Sequence, residues 1–168
     1  MKNTSALPIA RVSLRILIVL NWVYGAVVFA ILVGSFAAEQ WTAAALGFAP
    51  SASVIQGMRM IAALGLVGVP LNFIVLSRLL AMVNTVSEGN AFIAQNAARL
   101  QTIAWAVFGQ QLLQLAVSIV ARGVSTPAHP LHVNSVSTAG WLAVILLFVL
   151  ARVFLEGARM RDDLEGTV

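Results

Sequence analysis

Residues 16–38 read ILIVLNWVYGAVVFAILVGSFAA, an apolar run without one charged side chain. A helix crossing a hydrocarbon core about 30 Å thick needs about 20 such residues. Arg11 and Arg15 precede the run and Glu39 follows it, so charge marks both ends. Three further stretches repeat the pattern. Met60–Ser77 lies between Arg59 and Arg78, Leu100–Ala121 lies between Arg99 and Arg122, and Val136–Phe154 holds one charge, Arg152, near its end. The expectation is an all-α integral membrane four-helix bundle with spans at about 16–38, 58–83, 100–121 and 137–155.

Composition excludes most other classes. Of 168 residues, 60% are apolar and 10% charged, against about 25% charged in soluble domains. Four spans occupy about half the length, so a single transmembrane domain over residues 1–168 is expected. The absence of cysteine rules out disulfides, thiolate metal sites and thiol catalysis. Lys2, Arg11 and Arg15 precede the first run as they would in a signal peptide, but the run is long for an h-region and leads into more membrane protein. The net charge of +4 comes from dispersed arginines at the ends of apolar runs. No basic stripe interleaved with aromatics occurs, so direct nucleic-acid binding is not expected.

Charge placement also sets an orientation. With the N-terminus inside, Lys2, Arg11, Arg15, Arg78, Arg99, Arg152, Arg159 and Arg161 fall on the cytoplasmic side, and only Arg59 and Arg122 fall outside. The positive-inside bias then predicts both termini in the cytoplasm (N-in/C-in). Trp41 and Trp141 fall at outer helix ends and Trp105 near an inner end, depths that indole rings prefer. Trp22 sits deeper, where packing is its expected role.

Within the second span, Gly65, Gly68 and Pro70 suit close helix approach and a kink. The alternatives are ordinary packing, a cavity wall, or a homo-oligomer through the Gly65/Gly68 face. The outer connections are the alanine-rich 39–56, with Ser51 or Ser53 as a helix cap, and 122–137 with Pro127 and Pro130. On the inner side, Gly89 suits a helix-ending turn and Asn90 a cap. Phe92, Ile93, Ala97 and Leu100 recur at helical spacing there, while Gln95, Asn96 and Arg99 are polar. A short interfacial amphipathic helix at about 90–99, turning up into the third span, is predicted. The tail after Arg152 continues as a helix, with Arg159 placed to meet Asp163 and Arg161 to meet Glu165 at i,i+4 spacing.

Chemistry-bearing residues are few. His129 and His132 flank Pro130 with no third ligand nearby, short of a zinc site. No span core carries an acidic residue, which disfavours ion-coupled transport. No Walker glycine loop, nucleophile elbow or acid–base group is present, so neither enzymatic activity nor a cofactor is expected. The third span does carry a polar stripe: Gln110, Gln114 and Ser118 recur every four residues, with Gln111 beside them. An amide facing lipid is costly, so the stripe must face protein. It forms either a polar ligand pocket or conduction path, as in a small permease or ligand-binding bundle, or interhelical hydrogen bonds with Asn21 and Asn72. At the inner surface, Glu88, Phe92, Asn96, Arg99, Arg159 and Asp163 form a candidate docking platform for a cytoplasmic protein, the other use of the arginines being contact with a lipid bilayer of anionic headgroups.

The run Val86–Trp105 resembles the signature of a family of small bacterial four-helix membrane proteins of unknown function. Gly89, Phe92, Asn96, Arg99, Leu100, Ile103 and Trp105 match its pattern, while Ala104 stands where that family usually has glycine. The tail Leu150–Val168 is similar to the family's ending. The resemblance implies a multi-pass protein of the bacterial inner (cytoplasmic) membrane. It also implies a neighbouring small helix-turn-helix regulator, which the protein would sense for, or sequester, through protein–protein interaction.

Overall fold

In lipid the backbone has only itself to hydrogen-bond with, so each apolar run is driven into a helix. The computed structural model describes residues 6–38, 52–89, 92–124 and 137–165. They form four helices: α1 (Ala6–Ala37), α2 (Ala52–Ser87), α3 (Ala94–Val124) and α4 (Thr138–Glu165). Each contains a segment long and apolar enough to span a membrane, and no strand occurs among the described residues.

The helices outrun the apolar stretches that announce them. α1 starts at Ala6, ahead of Arg11 and Arg15, because alanine, leucine and arginine propagate a helix whether or not lipid surrounds it. α2 stays helical through Pro70. The separate interfacial helix predicted at about 90–99 is not formed. Phe92 and Ile93 are non-helical, and α3 runs unbroken from Ala94. No glycine or proline lies between Ala94 and Phe108, so nothing stops the transmembrane ladder from extending to that point. Gly89 does make the expected turn: its φ of 83° is open to glycine, and its N–H donates to Val86 O at 3.1 Å. Asn90, Ser51, Trp41, His129 and His132 lie outside the described residues.

Packing is serial and antiparallel. α1 packs on α2, α2 on α3 and α3 on α4, and no other pair makes more than a marginal contact among the described residues. Small residues set the crossings. A Cβ on Gly25 would lie 3.1 Å from Val69 Cγ1, one on Gly68 would lie 3.3 Å from Leu113, and one on Gly65 would meet Val28 and Tyr24. Gly65 and Gly68 thus serve contacts inside the chain, toward α1 and α3. Between α3 and α4 an aromatic ladder runs along the seam: Phe92 against Phe154, Trp105 against Phe148 and Phe108 against Trp141, with ring centroids 5.0, 5.2 and 5.8 Å apart. Such pairs contribute about 0.5–1.5 kcal/mol each beyond their burial. Trp22 packs against Phe73 at 5.7 Å, the role expected of it.

The distribution of polarity is inverted relative to a soluble protein. Phe29, Phe36, Leu142, Ile145 and Leu146 are all more than half exposed, whereas the largest fully buried side chains are Asn96, Ser35 and Ser118. Lipid solvates the first group; only protein partners satisfy the second.

Candidate functional site

Three polar ties pin α1 to α2 at different depths. At one end Arg59 donates through Nε to Ser35 Oγ at 3.3 Å and through Nη2 to Ser35 O, and its guanidinium covers the Phe36 ring at 4.1 Å. Ser35 is buried in an otherwise apolar run, and composition alone gives no sign of this pairing. At the opposite end Arg11 Nη2 donates to Ser87 Oγ at 2.9 Å, joining the start of α1 to the end of α2.

The third tie lies at mid-span. Asn72 Nδ2 donates to Asn21 Oδ1 at 2.9 Å, and Asn21 Nδ2 donates to Val69 O at 3.1 Å. Beside this pair opens a cavity of about 300 Å³, walled by α1, α2 and α3. Asn21, Asn72, Gln110 and Gln114 supply its amides, Tyr24 a phenol, and Gly65 and Gly68 the space. Asn21, Asn72 and Gln110 all fall near the middle of their spans. Four of the five residues predicted as an intramembrane polar cluster therefore share one cavity. The fifth, Ser118, is fully buried one turn further along and donates to Gln114 O at 2.8 Å. Gln110 has no protein partner among the described residues. Tyr24 was missed by sequence reading, although its place three residues after Asn21 puts both on one helix face. The cavity offers hydrogen-bond donors and acceptors but no charge.

The predicted docking platform divides. Glu88, Arg159 and Asp163 are exposed at one end of the molecule. Arg159 pairs with Glu156 at 3.5 Å rather than with Asp163. Phe92 is half exposed, lying against Phe154 and 3.1 Å from where a Cβ on Gly157 would be. Asn96 and Arg99 turn inward. Asn96 is fully buried, and its Oδ1 accepts from Arg99 Nη1 at 2.8 Å and Thr85 Oγ1 at 3.0 Å. Arg99 Nη1 also donates to Ala81 O at 3.2 Å. Leu100, Ile103 and Ala104 are buried on the same side of α3, so the Asn-x-x-Arg-Leu motif joins α3 to α2. With Ala104 completely enclosed, the position admits only a very small side chain.

Among the described residues no group of three His, Cys, Asp or Glu side chains is placed to hold a metal. A family model described as a protein of unknown function (DUF2975) matches residues 30–168. Neither the curated proteins nor the solved structures contain a match to this chain.

Proposed function

Because the chain belongs to the DUF2975 family of unknown function, we propose from its geometry that it acts by binding rather than by catalysis, receiving a small uncharged polar molecule in the mid-span cavity. The observation that carries this reading is the convergence of four amides from three helices on one space of about 300 Å³. That volume is at the lower end of small-molecule sites, about 300–1,000 Å³. Ordinary interhelical bonding accounts for Asn21 and Asn72, which bond each other. It does not account for Gln110, whose amide has no partner among the described residues at a depth where water is scarce. The cavity's lack of charge favours amides, polyols or sugars over ions.

A thermal-shift screen of such neutral solutes against the full chain in detergent tests the reading. At least one solute should raise the melting temperature of the wild type and leave Gln110→Leu unmoved. Since Gln110 bonds nothing among the described residues, that variant is expected to fold normally. A screen with no hit, or a hit that survives Gln110→Leu and Asn72→Leu together, defeats the proposal.

A second reading concerns the partner. The eight-to-two arginine and lysine asymmetry favours a cytoplasmic location for both termini, in a bacterial inner membrane if the family resemblance extends to source. α4 is 28 residues long, or about 42 Å at 1.5 Å per residue, so its charged end projects beyond an apolar core of about 30 Å. Glu88, Arg159 and Asp163 are exposed at that end and form the docking face for a small DNA-binding regulator. Photocrosslinking from Arg159 in native membranes should capture that protein. Recovery of lipid and further copies of this chain alone would contradict it.

A further inference from the structure

Arginine inside a membrane requires an anionic or carbonyl partner, and Arg78 has none among the described residues. It lies exposed on α2, and no hydrogen bond or ion pair reaches it among the described residues. Beside it, between α2 and α3, is a pocket of about 230 Å³ lined by Arg78, Gln95, Ala98, Arg99 and Thr102. No carboxylate lines it.

The donors point to an oxyanion. Among the described residues Arg99 uses only Nη1 for its bonds to Ala81, Thr85 and Asn96, which fix the guanidinium plane and leave Nε and Nη2 without acceptors there. The Gln95 amide is likewise unpartnered among the described residues. Thr102 Oγ1 donates to Ala98 O at 2.9 Å, a local bond that a hydroxyl exchanges readily for a stronger acceptor. Gln95, Arg99 and Thr102 follow at i, i+4 and i+7, on one stripe of α3 facing Arg78. Two guanidinium groups, an amide and a hydroxyl without a counter-charge match a phosphate group, which guanidinium binds with bidentate geometry.

Depth narrows the source. The α2 span Val54–Ser87 has 34 residues, about 51 Å long, so about 10 Å extends past each face of a core about 30 Å thick. Arg78, nine residues before Ser87, then lies about 13 Å from the helix end, just inside the boundary, where a long side chain reaches the headgroups. The same reckoning for the 30-residue span Ala94–Gly123 leaves about 7 Å beyond the boundary. Arg99, five residues in, sits at that boundary. The pocket is small for a drug-sized molecule and is set at phospholipid phosphate level.

We propose that the Arg78/Arg99 pocket is a specific phosphate site, occupied by the headgroup phosphate of an anionic phospholipid. The test uses delipidated full-length protein in detergent, with native mass spectrometry after addition of phosphatidic acid, phosphatidylglycerol or phosphatidylcholine. The wild type should retain the anionic lipids about tenfold better than phosphatidylcholine, the worth of one charge-assisted interaction. Arg78→Gln, which removes no hydrogen bond or ion pair among the described residues, should abolish the preference with no loss of thermal stability, and Gln95→Leu should weaken it. Inorganic phosphate, added as competitor, separates the sources. Failure to displace the lipid supports a lipid headgroup. Arg78-dependent displacement keeps the phosphate site but assigns it to a soluble phosphate. Equal retention by wild type and Arg78→Gln, or no anionic preference together with no phosphate binding, overturns the proposal.

Discussion

Replacing Asn96 tests whether the motif at the start of α3 is an internal fastener. Its Oδ1 accepts from Arg99 Nη1 at 2.8 Å and from Thr85 Oγ1 at 3.0 Å, with no exposure to solvent or lipid. A hydrogen bond from a charged donor contributes about 1.5–3 kcal/mol, and an average interhelical bond in a membrane about 0.6 kcal/mol. Deletion does not orphan either donor. The single Thr85 hydroxyl proton turns to Met82 O, 2.9 Å away, and Arg99 keeps Ala81 O at 3.2 Å. The cost of Asn96→Ala should therefore fall in the lower part of the combined range, about 1–2 kcal/mol. The double-mutant cycle of Asn96→Ala with Arg99→Gln should return a coupling of about 1 kcal/mol, since the two share one bond. Reversible unfolding in mixed micelles, followed by circular dichroism as denaturing detergent is titrated in, measures both quantities. A single-variant loss below about 0.3 kcal/mol, or additivity to within that margin, would refute the reasoning. The surface-docking role predicted for Asn96 and Arg99 would then regain its standing.

Other perturbations separate the remaining contacts. Gly25→Leu drives a branched side chain toward the Val69 methyls, 3.1 and 3.2 Å from the Cβ position, and should cost about 1–3 kcal/mol of stability in the same micelle titration. Arg59→Ala removes the two bonds to Ser35 and the contact with Phe36, and should cost about 1–2 kcal/mol. Glu156→Gln breaks an ion pair whose side chains are 53% and 59% exposed, and should shift stability by less than about 0.5 kcal/mol. With no native cysteine to interfere, Gln114→Cys should react with a small water-soluble thiol reagent. Leu112→Cys, on the lipid-facing side of α3, should not; equal rates at the two positions would mean that water does not reach the cavity.

The spans were legible because charged residues, mostly arginines, mark the ends of the apolar runs, and hydropathy needs nothing more than that contrast. Helix ends were less so: Ala6–Arg15 is helical despite two arginines, since propensity and hydropathy measure different things. The polar cluster could be read from Gln110, Gln114 and Ser118 recurring along a face that lipid cannot accept. A pocket was one of the two readings open there; the choice between it and plain interhelical bonding was not legible, because the space depends on glycines of α2 and on Tyr24 across the crossing. The segment that opens α3 misled for a specific reason. Gln95 and Asn96 are neighbours in sequence but about 100° apart on a helix. Asn96 shares its face with the buried Leu100 and Ile103, whereas Gln95 shares one with Arg99 and Thr102. Treating them as one polar surface merged a fastener with a pocket.

The neighbour-to-neighbour order of the helices bears on how the molecule is made. Among the described residues every major interface joins segments adjacent in the chain, so contacts are as local as a four-span topology permits, the condition under which folding is fastest. As the chain leaves the ribosome from its N-terminus, α2 finds α1 already in the bilayer, and α3 then finds both. Among the described residues the mid-span cavity draws its walls from α1, α2 and α3 alone, so those walls are all in place before α4 is inserted. The fourth helix arrives as a brace on a finished site: its aromatic ladder grips α3 from the far side, without touching what α3 holds on the other.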